Sequence, residues 1–226
     1  MKFDKKSKIS YTYDKAVDNF NPTIPTSDKD WDNRKYDNLK SQIKKHYSIV
    51  QDNRCAYCRE EIRFDGYGEA IEHIIPKSAK YKLMFHPKNL CLACYGCNTK
   101  KGTKNPLIKD FSQYGNEYED FPNKSSDYKI IHPHFDSFSY YIEEKDFFLK
   151  PRNGRKKGEE TIKMCQLNRF DLLYKRIKRK NNNKNMIAYL TNIITNSNDK
   201  EEIEVAKKFL NRIIERYNYI QKLKNK

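Results

Sequence analysis

Two Cys-x-x-Cys pairs constrain this chain more than any other feature of its sequence. The first pair is Cys55 with Cys58, and the second is Cys94 with Cys97. A two-residue gap lets both sulfurs of a pair reach one ion, and four thiolates form the tetrahedral set typical of structural Zn²⁺. No thioredoxin-like βαβ pattern surrounds either pair, which argues against a redox motif. We therefore predict one structural zinc site formed by these four cysteines, which stabilises loops and strands too short to be stable alone.

The net charge of the 226-residue chain is strongly positive. Lys and Arg number 46 against 30 Asp and Glu, so the formal net charge is +16, and the mean hydropathy is −1.03. This balance predicts a modest apolar core and a negatively charged partner. Seventeen Tyr and twelve Phe argue against a disordered basic tail, because disordered chains are poor in aromatic residues.

The sequence also bears on the compartment. No run approaches the roughly 18 apolar residues of a membrane span, and the charged residues 1–6 are followed by no apolar segment typical of a secretory signal. We therefore expect a cytoplasmic protein without membrane association, in which cysteines stay reduced. Cys91 and Cys165 lie outside the two pairs in apolar surroundings, and we predict that both are buried thiols without a role.

Positive charge is concentrated in residues 150–184, which we call the basic stretch. It contains thirteen Lys and Arg residues against three acidic ones. Such density predicts a surface that binds phosphates. A solvated helix face, or a docking surface for an acidic protein partner, remains the alternative. The side chains predicted to act together on the DNA backbone are Lys175, Arg176, Arg179 and Lys180.

The residue pattern predicts an α+β protein of four regions. They are an N-terminal helical extension, a central core with the cysteine pairs, an irregular aromatic-rich region and a basic helical region. Their bounds are 1–50, 51–105, 106–158 and 159–226. The core is thus flanked by helices on its N- and C-terminal sides.

Apolar spacing predicts individual helices and strands within these regions. A first helix runs from about Ser27 to Val50, with Ser27 or Asp28 as its cap, and a short strand covers residues 138–142. Asn168 caps a helix that continues through Lys180. A last helix begins near Asp199, and its apolar stripe is expected to pack on its own domain more readily than in a coiled coil; the stripe comprises Ile203, Ala206, Leu210, Ile213, Tyr217 and Ile220.

Between the cysteine pairs lie residue types suited to phosphodiester hydrolysis. His73 can accept a proton near neutral pH, because its unperturbed pKa is about 6.5, and we predict that it is the general base. Glu72 and Asn98 each offer a hard oxygen, which favours a mostly hydrated Mg²⁺ or Mn²⁺. Adjacent residues of a regular strand point to opposite faces, so we expect Glu72 and His73 where a strand gives way to a loop, with Pro76 marking the break.

The motif Glu72-His73-Ile74-x-Pro76-x-Ser78, followed by Asn89-Leu90 and then Cys94-x-x-Cys97-Asn98-x-x-Lys101-Gly102, resembles the HNH nucleases of ββα-metal fold. The resemblance covers about residues 54–104. It implies a strand from about Ala70, a second from Asn89 and a helix from about Tyr95, with the zinc behind the site. It also implies that Asn89 ties the loop by hydrogen bonds and thereby orients His73. Asn98 stands where this family usually has its last His, which shifts the expected metal from zinc or nickel toward magnesium or manganese.

The flanks of this motif resemble the small standalone HNH subunits of bacterial defence systems, of the Septu or retron-associated type. The resemblance implies an effector nuclease that works with an ATPase partner subunit. No G-x-x-x-x-G-K-[ST] phosphate-binding loop occurs in this sequence, so any ATP dependence would come from that partner. We therefore expect a metal-dependent DNA endonuclease in antiphage defence, with RNA as substrate and a homo-oligomer left open.

Two other functions are compatible with the same residues. One is a zinc-stabilised basic module that binds nucleic acid or a partner without cleaving. The other is a standalone modification-dependent restriction endonuclease, which would need a pocket for a modified base. For Glu72 and His73 the alternative is a buried ion pair without chemistry, and for His132 and His134 a turn with a packed histidine is favoured over a second metal site. Further residues near the motif could hold phosphates: Lys77, Ser78, Thr99, Lys100, Lys101 and Lys104.

Overall fold

The computed structural model describes residues 25–63, 68–145, 147–180 and 186–224. The first 24 residues of the predicted N-terminal extension and Lys184 of the basic stretch lie outside these described residues. The chain divides into two compact units. The first extends to Glu143 and includes Leu149–Leu167, and the second comprises Glu144–Phe148 and the chain from residue 168 onward.

The first unit opens with two 3₁₀ turns and a helix. The turns are Asp28–Asp32 and Arg34–Tyr36, and helix α1 is Asp37–Val50. The prediction of one continuous helix from Ser27 is therefore wrong over its first part. The side chain of Asn33 accepts a hydrogen bond from the Lys35 backbone N–H at 3.0 Å, which starts a new turn. From residue 37 the prediction is confirmed, and Leu39, Ile43 and Tyr47 of α1 are buried.

A two-stranded antiparallel sheet and a short helix follow. Strand β1 is Glu69–His73, strand β2 is Leu90–Cys94, and helix α2 is Tyr95–Lys101. Glu72 lies opposite Cys91 and His73 lies opposite Leu90 in the register. The expected strand–strand–helix order of this segment is confirmed. Gly102, with φ of +52°, ends α2 in a backbone conformation that favours glycine.

The region after α2 is irregular as far as a short helix and hairpin. Helix α3 is Phe138–Tyr141, strand β3 is Ile142–Lys145, strand β4 is Phe148–Pro151, and helix α4 is Lys156–Met164. The predicted strand over residues 138–142 is wrong, because residues 138–141 form a helical turn that opens with a hydrogen bond from the Tyr140 N–H to the Ser137 carbonyl.

His132 and the two cysteines outside the Cys-x-x-Cys pairs have the surroundings expected of them. The backbone N–H groups of Phe135 and Asp136 both donate to the His132 carbonyl, and the His132 ring stacks on Phe135 with centroids 4.1 Å apart. This is the packed turn that the sequence favours over a metal site. Cys91 and Cys165 are fully buried, as predicted.

The second unit is helical. Its helices are α5, Phe170–Lys180, α6, Met186–Asn196, and α7, Lys200–Lys224. The predicted helix through Lys180 and the predicted last helix are both confirmed, and Asp199 accepts a hydrogen bond from the Glu202 N–H at the start of α7. The side chains of Tyr217 and Ile220 in the predicted stripe lie outside the described residues. Among the described helices, none has the length and apolar character needed to cross a membrane.

The basic stretch is not one exposed face. Its residues up to 167 belong to the first unit and the others to the second. Arg176 is fully buried and donates to the Phe147 carbonyl at 3.3 Å. Its predicted contact with DNA phosphates is therefore wrong, because a buried guanidinium cannot reach the backbone of DNA. Arg179 is paired with Glu144 at 2.8 Å, so part of the positive charge is used inside the unit.

Candidate active site and zinc centre

The four paired cysteines converge on one point. The sulfurs of Cys55, Cys58, Cys94 and Cys97 all lie within 4.8 Å of one another, and the Cys58 and Cys94 sulfurs are 3.8 Å apart. A tetrahedral zinc with Zn–S bonds of about 2.3 Å requires sulfurs about 3.8 Å apart. The cluster thus has the composition and spacing of a four-thiolate metal site. Among the described residues it is the one group of this kind.

Backbone hydrogen bonds position the first cysteine pair against β2. The Cys55 N–H donates to the Glu60 carbonyl at 3.0 Å, and the Ala56 N–H donates to the Leu92 carbonyl at 2.9 Å. The buried Gln51 amide donates to the Leu92 carbonyl at 2.9 Å and accepts from its N–H at 2.8 Å. The hydrogen bonds of Gln51 to β2 were not predicted from the sequence. The only indication in the sequence is that Gln51 is a polar residue directly after the predicted helix.

His73 is the last residue of β1 and is buried. Burial, and then the positive charges of Lys101 and Lys77, lower the pKa of His73 to about 3, while a hydrogen bond to the Met84 backbone acts in the opposite direction. Nε2 of His73 makes no hydrogen bond to the described residues, so Nδ1 is the nitrogen that donates to the Met84 carbonyl. The lowered pKa favours the neutral imidazole, and its Nε2 is buried with no hydrogen-bond partner among the described residues.

Trp31 covers His73. The two rings meet nearly at right angles, with centroids 4.4 Å apart, and the Trp31 ring also packs on Phe85 at 5.3 Å. Lys77 holds the turn that carries Trp31, because its ammonium donates to the Asp28 carbonyl at 2.9 Å. Sequence reasoning missed this contact, for which a lone Trp far from the motif gives no signal.

Asn89 ties the loop that follows His73. Its side-chain oxygen accepts from the Ile75 N–H at 2.7 Å, and its amide nitrogen donates to the carbonyls of Ile75 at 3.1 Å and Leu83 at 3.0 Å. The side chain is fully buried. These bonds hold the chain immediately after His73, which is the positional role that the resemblance implies.

Glu72 lies in a buried ion pair. Its carboxylate accepts from the Lys101 ammonium at 2.6 Å and from the Tyr57 hydroxyl at 3.1 Å. Burial raises the pKa of the Glu72 carboxyl above its ordinary value, while Lys101 and Tyr57 act in the opposite direction. Lys101 is itself fully buried and also donates to the His73 carbonyl at 2.9 Å. The prediction that Lys101 could hold phosphates is therefore wrong, since its ammonium is enclosed by protein oxygens.

Glu72 and His73 point to opposite sides of β1. Strand β1 ends at His73, and Glu72 lies within the strand. The expectation that both residues lie where the strand gives way to a loop therefore holds for His73 alone. Glu72 faces Lys101 of α2, and His73 faces Trp31.

Asn98 lies on α2, one turn before Lys101, and is half-buried. It lines an open pocket of about 570 Å³, whose other lining residues are Trp31, Asp37, Lys40, Ser41, Lys44, Ala70 and Ile71. Glu72 is not among them. The oxygen donors of Glu72 and Asn98 suit Mg²⁺ or Mn²⁺ chemically, but in this arrangement the cation beside Glu72 is the Lys101 ammonium. The two residues therefore do not form an open ligand pair here.

Comparisons with known proteins agree with this geometry. The HNH endonuclease family model matches residues 55–104, which span both cysteine pairs, the sheet and α2. The Septu protein PtuB of Bacillus thuringiensis is 29% identical over 143 residues, which are 61% of this chain and 46% of that protein. The Septu protein PtuB of Bacillus mycoides (strain KBAB4) is 28% identical over 159 residues, 64% of this chain and 51% of that protein. The chain thus spans about half the length of the curated relatives it matches, and its residues 55–104 form a segment that is similar to the HNH endonuclease family.

Proposed function

We propose that this protein is an endonuclease that hydrolyses phosphodiester bonds of DNA, with His73 as its general base. The observation that carries the proposal is the state of the His73 ring. Nδ1 donates to a backbone carbonyl, and Nε2 is buried without a hydrogen-bond partner among the described residues. A base must be within hydrogen-bond reach of the water that it activates, and Nε2 is the nitrogen left to accept that proton once water reaches it.

In the proposed reaction, Nε2 of His73 accepts a proton from water, and the resulting hydroxide attacks phosphorus as the P–O bond to the leaving oxygen breaks. A phosphate anion near the ring favours the imidazolium form, so substrate binding raises the pKa of His73 from its low value. Asn89 fixes the loop after His73 and acts as a positioning residue.

A divalent cation would place positive charge on the phosphate and the leaving oxygen. Asn98 would hold it, together with Glu72 once Lys101 withdraws. The Lys101 ammonium lies 2.6 Å from the Glu72 carboxylate, and it would repel a dication held by that carboxylate because like charges repel. Mg²⁺ or Mn²⁺ suits these oxygen ligands, and Zn²⁺ suits the four cysteines.

DNA is the proposed substrate because of the charge of the chain. The formal net charge of +16 favours a polyanion. Within the basic stretch, Lys163, Lys175 and Lys178 are exposed and are the side chains that we propose contact the phosphate backbone. Backbone contacts of this kind weaken with salt, at a log–log slope of about −0.9 for each phosphate neutralised on duplex DNA.

We further propose a role in antiphage defence, as the effector subunit that acts with an ATPase partner. The two Septu proteins PtuB among the relatives support this assignment. In this arrangement part of the basic stretch could bind the partner instead of DNA. Charge reversal at Lys175 and Lys178 then distinguishes DNA binding from partner binding. Loss of DNA binding would indicate that the two lysines contact DNA, and loss of assembly would indicate that they contact the partner.

A second candidate function is a non-catalytic module that binds nucleic acid. The ion pair between Glu72 and Lys101 favours it, because that pair satisfies the carboxylate without a metal ion. The two functions differ in one measurable outcome, since only the nuclease converts bound DNA to product.

The test is incubation of the purified protein with supercoiled plasmid DNA, in Mg²⁺ and in excess chelator, with and without the proposed ATPase partner. We expect nicked or linear product in the presence of Mg²⁺ and no product in excess chelator. The cleavage rate of His73→Ala should be about 10²–10⁴-fold lower, which is the usual contribution of general base catalysis. His46→Ala, on α1 away from the site, is the matched control and should keep full activity. Full activity of His73→Ala would refute the nuclease assignment of this residue.

A further inference from the structure

The pocket lined by Asn98 is formed by residues of α1, β1 and α2 together with Trp31, whose ring contacts His73. Its residues from α1 are Asp37, Lys40, Ser41 and Lys44, whose spacing of three and four places them on one face of the helix. At about 570 Å³ the pocket falls within the usual range for sites that bind small ligands. One nucleotide of a nucleic acid is of this size class.

Two lysines supply positive charge to this pocket. Lys40 and Lys44 lie one turn apart on α1. The Lys40 ammonium is 2.6 Å from the Asp37 carboxylate and donates to the Trp31 carbonyl at 3.3 Å. The Lys44 ammonium is 3.3 Å from Glu69. Spacing of one helical turn, about 5.4 Å, matches the reach needed to contact neighbouring oxygens of one phosphodiester backbone.

Trp31 connects the pocket to the proposed base. Its indole is in edge contact with the His73 ring, at 4.4 Å between centroids, and it also lines the pocket. The Lys40 ammonium lies 5.8 Å from the indole centroid. An aromatic face next to basic groups is the arrangement by which proteins hold an unstacked base together with its phosphate.

We propose that this pocket binds one nucleotide of the substrate strand beside the phosphate to be cleaved. Lys40 and Lys44 contact its phosphate oxygens, and its base packs against Trp31. The inference rests on the proposed function in one respect, namely that the substrate is a nucleic acid. It adds to that function a subsite on the N-terminal helix, outside the matched residues 55–104, and a preference for strands whose bases can unstack.

Asp37 makes a further expectation possible. The Asp37 side chain is 60% exposed, and its carboxylate forms an ion pair with the Lys40 ammonium. An incoming phosphate would therefore compete with this carboxylate for the same ammonium. Asp37→Asn removes the competitor and also removes a negative charge from the pocket. DNA binding should therefore become tighter in this variant, whereas a surface without a role in binding would show no change.

The test uses Trp31 as a reporter, since it is the only tryptophan of the chain. An oligothymidylate of eight nucleotides is titrated into the wild-type protein in buffer without Mg²⁺ and without chelator, so that the zinc stays bound and the strand is not cut. We expect saturable quenching of Trp31 fluorescence, with tighter binding of the single strand than of an eight-base-pair duplex.

The variants are compared by fluorescence anisotropy of a labelled oligothymidylate. Lys40→Gln with Lys44→Gln should weaken binding at least tenfold and reduce the log–log salt slope by about 1.4, at about 0.7 for each phosphate contact on a single strand. Lys45→Gln is the matched control, because Lys45 is exposed on the same helix and does not line the pocket.

The outcomes separate this inference from the proposed function. Equal effects of the Lys40/Lys44 and Lys45 variants, or no response of Trp31 to a strand that binds, would overturn the subsite. Tight binding that depends on Lys40 and Lys44, in a protein that never cleaves DNA, would support the subsite and refute the nuclease. Tighter binding by Asp37→Asn supports the subsite even if the double lysine variant fails to fold.

Discussion

The segment of the first unit that contains the four-cysteine cluster, the sheet and α2 differs from the helical second unit in what it buries. The segment buries polar side chains that each have defined partners, namely Glu72, His73, Asn89 and Lys101. The second unit buries mainly apolar side chains, including Leu173, Ile177, Leu190 and Phe209, along with the charged group of Arg176. One region is built on directional bonds, and the other on apolar contact.

This difference predicts unequal sensitivity to substitution. Removing one partner of a buried polar pair leaves the other without compensation and costs the full desolvation penalty. Apolar cores tolerate replacements that conserve volume. Chemistry that needs fixed distances is therefore placed in the segment where distances are held by bonds.

The largest expected effect is loss of a cysteine of the zinc centre. Cys58→Ser should abolish zinc binding and unfold the segment around it, because metal binding to such sites contributes on the order of 10–16 kcal/mol to folding. Elemental analysis should give one zinc per wild-type chain and none for the variant. Circular dichroism should retain a large part of its helical signal, since the second unit has its own core.

Cys165→Ala is the control for this change, because Cys165 is buried outside the cluster. It should keep a full complement of zinc. A folded Cys58→Ser protein with one tightly bound zinc would contradict the assignment of the four ligands.

The next largest effect concerns the ion pair between Lys101 and Glu72. Lys101→Met leaves a buried carboxylate without its cation, which should cost about 3–5 kcal/mol in the free energy of unfolding. Because the ammonium then no longer repels a dication at Glu72, affinity for Mn²⁺ should rise. Denaturant unfolding measures the first change, and calorimetric titration with Mn²⁺ measures the second.

Lys100→Met is the matched control for this pair, since Lys100 is the exposed neighbour on α2. It should change neither quantity appreciably. Weaker Mn²⁺ binding in Lys101→Met than in wild type would show that Lys101 does not compete for the Glu72 carboxylate. When Glu72→Gln is also present, Lys101→Met should no longer change the affinity for Mn²⁺.

The smallest effect is expected in the second unit. Ile177→Val removes one methylene from its apolar core, where Ile177 is buried, and such changes usually cost about 0.5–1.5 kcal/mol. Thermal unfolding should record this loss, while zinc content and cleavage rate stay at wild-type values. A change in zinc content would break the contrast between the two regions.

Much of the fold could be predicted from local pattern. The spacing of Cys55, Cys58, Cys94 and Cys97 indicates a common metal centre, and the resemblance of the motif between them gives β1, β2 and α2. Where the prediction was wrong, a local hydrogen bond determined the secondary structure. Asn33 interrupts the helix expected from Ser27, and Ser137 opens a helical turn where a strand was expected.

The candidate site could be predicted in its residue types but less well in its contacts. Asn89 forms hydrogen bonds with the loop after His73, and Nε2 of His73 is buried without a hydrogen-bond partner among the described residues. The roles expected of both residues stay predictions until cleavage is measured. The partner of Glu72 could not be foreseen, because Lys101 is 29 positions away in the sequence and would ordinarily be solvent-exposed. The same holds for Arg176, a member of a basic run that the structure nevertheless buries.

The sequence by itself predicted the metal-ligand set and the candidate reactive residues, because these depend on residue chemistry and on spacing of a few positions. The strand–strand–helix order was implied by the resemblance to HNH nucleases. Only the tertiary structure decided that Lys101 neutralises Glu72, that Trp31 covers His73, and that Lys40 and Lys44 share a pocket with Asn98. Each of these contacts joins residues far apart along the chain. Their pairing depends on how helices pack across the sheet, and in that packing burial sets which charges must find partners.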